Sequence, residues 1–247
     1  MGFGCLDPPA GDLVPVVPTD VGSSVNGLTP EQYLNVSLSF YPDVNEVSPY
    51  TKWILQSQSM YINWSVPTLK LLSDNNDTTG GSFPPSTVPI FLDYPDNDWV
   101  YFLIETNFTS SGPKTIFTVP FLGHPIHLHG HDFYVLAQSS VPFNHSTFRP
   151  NLCNPPKRDT AMVPAGGYMV IAFQMDNPGA WLMHCHIAWH ASSGMAIQFV
   201  ESAGKFEMLA AQSGILPGLQ KQCNTWTEFY DTYNVNYNAS QGAESGI

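Results

Sequence analysis

Short apolar stretches alternate with polar, glycine- and proline-rich stretches along most of the chain. Residues 32–40 alternate apolar and polar positions with the period of two that is typical of a half-buried strand. Further strand-like stretches lie at 53–56, 99–105, 114–119, 133–137, 168–174 and 195–200. Turn signals such as Ser111-Gly112-Pro113 and Asn177-Pro178-Gly179 separate them. Short strands punctuated in this way predict an all-β protein, built as a β-sandwich or a small barrel.

Little of the chain has a helical pattern. We expect a short helical turn after His186 and a helical segment near 206–212, and no other helix. Residues 1–30 are rich in proline, glycine, aspartate and valine, and we expect a connecting segment there. Residues 73–86 are polar and rich in glycine and proline, which predicts a surface loop.

The charge content excludes two kinds of partner. Only 11% of the 247 residues are charged, against about 25% in an ordinary soluble domain. With 8 basic residues and a formal net charge of −12, the chain has no patch that could neutralise phosphates, so nucleic-acid binding is not expected. No stretch reaches the ~18 apolar residues that span a bilayer, so no membrane partner is expected.

Six N-glycosylation sequons indicate a secreted, extracellular protein. They begin at Asn35, Asn63, Asn76, Asn107, Asn144 and Asn238. The N-terminus lacks a basic region followed by an apolar core, so we expect a mature chain or a piece of a longer precursor. The cysteines form no CxxC pair, which disfavours zinc-ribbon and thioredoxin-like sites.

Nearly all the histidines fall in two short windows. The first reads His124-Pro125-Ile126-His127-Leu128-His129-Gly130-His131, and the second reads His184-Cys185-His186-Ile187-Ala188-Trp189-His190. Because side chains alternate between faces in an extended chain, His127 and His129 share a face, as do His184 and His186. Cys185 then points to the opposite face. One segment can therefore hold metal on both sides, with an electron path of few bonds between the thiolate and its neighbouring imidazoles.

The donor types point to copper. Two imidazoles, a thiolate and a weak axial thioether make a blue-copper electron-transfer site. His124, Cys185, His190 and Met195 supply that set. Zinc also accepts cysteine and histidine, but adjacent His-Cys-His does not match the usual structural zinc spacings. A cupin-like iron site would use the His-x-His pair and leave the cysteine idle.

Both windows resemble the third and fourth copper-binding motifs of multicopper oxidases, and His-Cys-His-Ile-Ala-Trp-His is similar to the motif of ascomycete laccases. The resemblance implies a cupredoxin-like Greek-key β-sandwich over 31–205, after a linker at 1–30 and before a C-terminal tail at 206–247. It implies four coppers per complete enzyme, a small aromatic reducing substrate such as a phenol or aromatic amine, and dioxygen as the electron acceptor.

The resemblance also assigns roles to single residues. It implies that His124, Cys185 and His190 bind the type 1 copper, that His127 binds the type 2 copper, and that His129, His184 and His186 bind the type 3 pair. Trp189 and His190 would lie near the reducing substrate, and His190 would receive its electron; Trp64 is a further candidate contact. Glu244-Ser245-Gly246-Ile247 resembles the tail that plugs the channel to the trinuclear cluster of such laccases.

The other cysteines fit the same resemblance in part. Cys223 resembles the C-terminal cysteine that family members pair with the N-terminal domain, and Cys5 resembles one near the second-domain boundary. Cys153 has no counterpart that we can assign, and we expect a buried free thiol.

Met195 departs from the family pattern, because most ascomycete laccases have leucine at this position. We expect Met195 to lower the reduction potential of the type 1 copper.

The largest departure is the number of histidines. The family's trinuclear cluster takes eight, four of them from an N-terminal domain, and this chain has no further His-x-His motif. His131 is not normally a ligand, and His145 lies in a sequon and is expected at the surface. We therefore expect a complete type 1 site, half a trinuclear site, missing N-terminal cupredoxin domains and no reduction of dioxygen to water by this chain alone. The alternatives are a stand-alone blue-copper carrier and an inactive truncated product.

Overall fold

Strands dominate the computed structural model, which describes residues 12–22, 28–29, 32–41, 50–75, 80–106 and 122–233. The strands are β1 (Tyr33–Asn35), β2 (Ser37–Tyr41), β3 (Tyr50–Ile54), β4 (Pro89–Leu92), β5 (Trp99–Glu105), β6 (His124–Leu128), β7 (Phe133–Ser139), β8 (Lys157–Arg158), β9 (Thr160–Val163), β10 (Tyr168–Gln174), β11 (Gly179–Cys185) and β12 (Ala196–Glu201). The helices are α1 (Thr68–Asn75), α2 (Ala188–Ser192), α3 (Ala203–Ser213) and α4 (Leu216–Tyr233).

The strands form two larger sheets and a separate hairpin. The first sheet has the order β1-β5-β10-β7-β8, and the second has the order β4-β12-β11-β6-β9. Pairing is antiparallel except between β1 and β5 and between β4 and β12. Strands β2 and β3 pair with each other. The predicted all-β sandwich is confirmed.

Apolar side chains fill the space between the two sheets and also cover the outer face of the first. Phe102, Phe173 and Phe199 meet in the central core, with ring centroids of Phe102 and Phe199 4.6 Å apart. Leu103 and Val170 belong to a second cluster on the outer face of the first sheet. Strands β5 and β10 are thus buried on both faces, which explains why their sequences are continuous apolar runs rather than alternating ones.

The predicted strands and the observed strands agree in most of the described ranges. Strands β5 and β10 have the predicted bounds, and β1 with β2, β3, β7 and β12 overlap their predicted stretches. The predicted strand at 114–119 lies outside the described residues. Around the histidines an extended chain was expected, and β6 and β11 are the strands found there. Strands β4, β8 and β9 were not predicted, since their sheet neighbours define them more than their own sequences do.

The prediction of only two helical pieces was wrong. The expected turn after His186 is α2 and the expected tail segment is α3, but α1 and α4 are additional. Residues 73–75 belong to α1 rather than to the predicted loop, whereas residues 80–86 are mostly exposed, as predicted, except for Phe83, which is buried in a cluster with α1 and α3. No helix within the described ranges is long and apolar enough to cross a membrane.

Candidate metal centre

The histidine windows lie on two neighbouring strands. Strands β6 and β11 pair antiparallel, with His127 opposite His184 and Ile126 opposite Cys185. His124, at the start of β6, and Cys185, at the end of β11, face the core and are fully buried. His127 and His184, in contrast, are part-exposed on the other face. The predicted division of one segment between two metal-binding faces is therefore what the register produces.

On the core face, three donor atoms converge. The Cys185 Sγ lies 3.4 Å from the Nδ1 of His190 and 3.8 Å from the Nδ1 of His124. The two Nδ1 atoms are 3.2 Å apart. Within the described ranges this is the one group of three or more such side chains whose ligand atoms all lie within 4.8 Å of one another. Two imidazoles and a thiolate around one point fit a blue-copper ion, so these residues can hold the group that their types imply.

Burial keeps these three donors uncharged when they hold no cation. Burial, together with the neighbouring His190, lowers the pKa of His124 to about 4. Burial also lowers the pKa of His190. It raises the pKa of the Cys185 thiol to about 11, opposed by a hydrogen bond from the Ile187 N–H. Metal binding at this site must therefore displace the thiol proton, while both imidazoles are already neutral near pH 7.

A short loop carries His190 from β11 back to β12. The Cys185 N–H donates to the Met195 carbonyl at 3.1 Å, and the Met195 N–H donates to the His190 carbonyl at 2.9 Å. Residues 188–192 form α2, which turns His190 inward to 7% exposure. Met195 itself is fully buried in the same core cluster as Cys185. The backbone of Met195 thus links both loop ligands, and its assignment as an axial ligand stays a prediction.

Trp53 on β3 is a residue of this site that the sequence reasoning missed. Its ring centroid lies 4.3 Å from that of His190 and 5.1 Å from that of His124. The backbone N–H of Trp53 also donates to the Ser193 carbonyl at 2.9 Å. The strand pattern at 53–56 is recognisable, but no spacing rule relates it to the histidine windows. Trp53 packs against both imidazole ligands and restricts how far their rings can rotate.

The outward face carries four of the five remaining histidines of the two windows: His127, His129, His184 and His186. The His129 Nε2 and the His184 Nε2 are 3.2 Å apart. The ring centroid of His127 lies 4.9 Å from that of His129 and 5.7 Å from that of His186. His127 and His129 also line an open cavity of about 500 Å³, together with Asp159 and Trp181. These rings can contribute nitrogens to more than one cation.

Hydrogen bonds set the tautomers of two of these rings. The His127 Nδ1 lies 2.8 Å from the Asp159 carbonyl oxygen, and the His184 Nδ1 lies 2.9 Å from the Cys185 carbonyl oxygen. A carbonyl oxygen can only accept, so each Nδ1 carries the proton and each Nε2 keeps a free lone pair. Burial, aided by neighbouring histidines, lowers the pKa of His129 and of His184. These lowered pKa values favour the neutral imidazole of His129 and of His184, the form that binds metal.

The other predicted residues are more dispersed. Trp189, next to His190, is 76% exposed at the surface, and Trp64 is 55% exposed with its ring 5.5 Å from that of Trp226. His145 is exposed, as expected, and contacts the Tyr33 hydroxyl at 2.7 Å. The side chain of His131 is buried and packs against the ring of Phe173. The predicted plug at 244–247 lies outside the described residues.

The prediction that Cys153 is buried was wrong. It is exposed and unpaired, because its loop lies at the molecular edge, where it forms a β-bridge with Asp20. Cys223, in contrast, is a buried free thiol on α4. Cys5 lies outside the described residues, so the implied pairings of Cys5 and Cys223 stay predictions.

Comparison with known proteins places these features in a family. The family model of multicopper oxidases matches residues 61–205. An oxidoreductase from Pestalotiopsis microspora is 47% identical over 100% of this chain and 40% of its own length. The dihydrogeodin oxidase of Aspergillus terreus is 42% identical over 99% of the chain and 40% of its own length. The crystal structure of the laccase from Botrytis aclada superposes with a TM-score of 0.74 at 37% identity, covering 98% of this chain and 39% of that one.

The chain therefore spans about 40% of the length of the relatives it matches. The matched region contains both histidine windows, and the superposed laccase has the same all-β architecture. Copper is the metal that this family implies, in agreement with the donor set of His124, Cys185 and His190. This chain belongs to the multicopper oxidase family.

Proposed function

We propose that this chain is the C-terminal, electron-accepting part of a laccase-like oxidase. In the complete enzyme a phenol or aromatic amine loses single electrons at a type 1 copper, and dioxygen is reduced to water at a trinuclear cluster. His124, Cys185 and His190 would hold the type 1 copper, and the Met195 thioether would be a further ligand. His127 binds the type 2 copper, and His129, His184 and His186 bind the type 3 pair.

One observation carries this proposal. The Cys185 sulfur faces the buried donor group, while its two neighbours in sequence, His184 and His186, face the outward histidines. A covalent path from Sγ through the Cys185 backbone to either imidazole therefore connects the two faces. A stand-alone carrier has no use for the outward histidines, which favours the oxidase over the carrier.

Several residues of this chain have separate roles in electron transfer from the substrate. Bound copper would act as the one-electron acceptor, a role that neither an imidazole nor a thiolate can fill. The His190 ring connects that acceptor to the surface beside the exposed Trp189. A phenol that gives up one electron there also releases one proton, which passes to solvent, and leaves as a neutral radical. Trp53 keeps the His190 ring in place during this transfer.

The names of two relatives indicate a class of substrate but not a single compound. One relative is named for the oxidation of dihydrogeodin and the superposed structure is a laccase, so a small aromatic substrate is the best-supported choice.

We also propose that the protein is secreted and glycosylated, on the basis of its six sequons, and that Cys223 pairs with a cysteine of a preceding domain. The relatives' greater length supports the proposal that N-terminal domains complete the trinuclear site.

Single-turnover reduction tests the proposal. Copper-loaded chain is mixed with hydroquinone under argon, and the charge-transfer colour of the thiolate–copper site is followed by stopped flow. We expect the colour to bleach with one electron taken up per chain. In air, the isolated chain is expected to produce no water from dioxygen. Failure to bleach, or oxygen uptake with water as the product, contradicts the proposal.

A further inference from the structure

A buried histidine–glutamate pair lies beside the outward histidines and has no part in the proposed function. The side chains of His131 and Glu201 are 3% and 1% exposed, and the His131 Nε2 lies 2.8 Å from the Glu201 Oε2. This contact has hydrogen-bond length, although its direction departs from that of a linear hydrogen bond. The rings of Phe173 and Trp181 surround His131, with the Phe173 centroid 4.9 Å away.

Stability alone does not account for such a pair. Removing a carboxylate and an imidazole from water costs free energy that their mutual attraction seldom exceeds. A protein with well-packed apolar residues in place of such a pair is often at least as stable. A buried pair can instead select one arrangement of the elements that carry it. The connections of His131 and Glu201 therefore indicate what the pair does.

The pair joins the segment after β6 to the end of β12, and both of its residues also contact the turn between β10 and β11. The Glu201 Oε1 accepts a hydrogen bond from the Asn177 N–H at 2.7 Å. The Asn177 side-chain amide donates to the Gly130 carbonyl at 2.9 Å. The His131 Nδ1 also lies 3.4 Å from the Asp176 carboxylate. Gly130 and His131 are thus both tied to the same turn.

Packing fixes the same segment from another side. Gly130 has φ +77°, and a Cβ placed on it would lie 2.3 Å from the Trp181 ring. Trp181 is itself held, since its Nε1 donates to the Asn177 carbonyl at 2.6 Å. The His129 N–H donates to the Leu182 carbonyl at 2.8 Å. Three consecutive residues, 129 to 131, are therefore each held at a separate point.

We propose that His131 and Glu201 are positioning residues that fix His129 for metal binding, an inference that rests on the proposed function. His129 is exposed, so core packing does not restrain its ring. Its Nε2 must nevertheless stay near the His184 Nε2, 3.2 Å away, because metal ligands tolerate displacements of only about 0.5 Å. The pair supplies this restraint through the backbone of Gly130.

Amide hydrogen exchange on the metal-free full chain tests the inference without copper. We expect Glu201→Leu to raise the exchange rate of the His129 amide about tenfold, as for the loss of one or two hydrogen bonds, and to leave that of Ile171 in β10 unchanged. Glu201→Gln keeps the acceptor for Asn177 and is expected to retain most of the protection. The exposed Glu228 gives the matched control, and Glu228→Leu is expected to change neither amide.

Two results would overturn the inference: an unchanged His129 amide in Glu201→Leu, or an equal rise at Ile171, which indicates a general loss of stability. If Glu201→Leu does not fold, His131→Leu replaces it, because this variant removes the pair and leaves the hydrogen bond from the Asn177 N–H to Glu201. In that variant too, an unchanged exchange rate at the His129 amide, or an equal rise at Ile171, would overturn the inference.

Copper titration separates this inference from the proposed function. Cu(II) alone is added to the Cys185→Ser chain, and the binding that disappears in a further His129→Gln variant is assigned to the outward face. We expect Glu201→Leu to weaken that binding about tenfold or more. If no binding depends on His129 in the parent chain, the proposed function fails, and the exchange result still decides the inference. If His129-dependent binding is present and Glu201→Leu leaves it unchanged, the inference is wrong.

Discussion

At the scale of single residues, the protonation of His124 makes the stability of the chain depend on pH. Its pKa is lowered from 6.5 to about 4 by burial and by His190. The unfolded chain therefore binds more protons than the folded chain between these values, so stability falls as the pH falls from 6.5 towards 4. The loss from His124 is about 3 kcal/mol at 1.36 kcal/mol per pKa unit. Burial lowers the pKa of His190, His129 and His184 as well, which adds in the same direction.

We predict that His124→Phe, which keeps a ring but cannot titrate, flattens this dependence. Urea unfolding of the metal-free chain at pH 7.5, 5.5 and 4 measures it. The exposed His145 supplies the control, and His145→Gln is expected to retain the dependence of the parent chain. An equally steep loss of stability in His124→Phe would contradict the assignment.

Trp53 and Trp189 lie near the proposed type 1 ligands in different ways. Trp53 is 8% exposed and packs on the ring of His190, whereas Trp189 is 76% exposed. Trp53→Ala is expected to cost about 3–5 kcal/mol of unfolding free energy and to broaden the copper EPR signal. Trp189→Ala is expected to stay within about 0.5 kcal/mol of the parent. Denaturant unfolding and EPR of both variants check this, and equal effects would refute the role given to Trp53.

Met195 is expected to lower the type 1 potential through its thioether. Leucine has nearly the same volume, so Met195→Leu should cost less than about 1.5 kcal/mol and leave the fold intact. We predict that the potential of the copper-loaded chain rises in this variant. Redox titration of both proteins measures the change. An unchanged potential would show that Met195, although buried beside Cys185, does not ligate copper.

At the scale of elements, the loop between β11 and β12 depends on the segment after β3. The Met60 N–H donates to the Gly194 carbonyl at 3.0 Å, and Gly194 has φ +94°. A Cβ on Gly194 would lie 1.8 Å from the Ser59 Oγ. This close approach keeps the ligand loop against the hairpin that carries Trp53.

We therefore predict that Gly194→Ala destabilises the chain by more than about 1 kcal/mol and weakens copper retention. Gly204 in α3 is the matched control, because a Cβ there meets nothing within 4 Å. Gly204→Ala is expected to be neutral or to stabilise by up to about 1 kcal/mol. Thermal unfolding and bound copper after dialysis are the measurements. The prediction fails if both variants behave alike.

The elements also show where sequence reasoning reaches its limit. Strands β5 and β10 were predictable because each is an apolar run between turn signals. Helix α4 was missed, although a stripe with helical spacing was present in the sequence: Leu216, Leu219, Cys223, Trp226 and Tyr230. The helix also contains Pro217, Gly218 and several threonines, whose low helix propensity weakens that signal. The histidine windows were recognisable because each is local in sequence.

The contacts between distant segments were not predictable in the same way. Trp53 reaches His190 only because β3 and the ligand loop are hydrogen-bonded, and Glu201 reaches His131 across the second sheet. No periodicity in one segment carries information about its partner in another. The faces of Cys185 and its neighbouring histidines, in contrast, followed from the alternation of side chains along a strand.

At the scale of the whole molecule, the chain combines one closed site and one open face. The buried group of His124, Cys185 and His190 is made entirely by this chain, whereas the outward histidines line an open cavity. The relatives are about two and a half times as long. We therefore expect one tightly bound copper per isolated chain and only weak copper binding at the outward face until further domains complete it.

The most direct test of this account is the optical and EPR spectrum of the chain loaded with Cu(II) and dialysed to constant copper content. We predict one copper per chain, an intense blue thiolate-to-copper band and the narrow hyperfine splitting of a type 1 site, all absent from Cys185→Ser. A colourless product, or copper that is retained equally by Cys185→Ser, would contradict the claim that His124, Cys185 and His190 form a type 1 copper site.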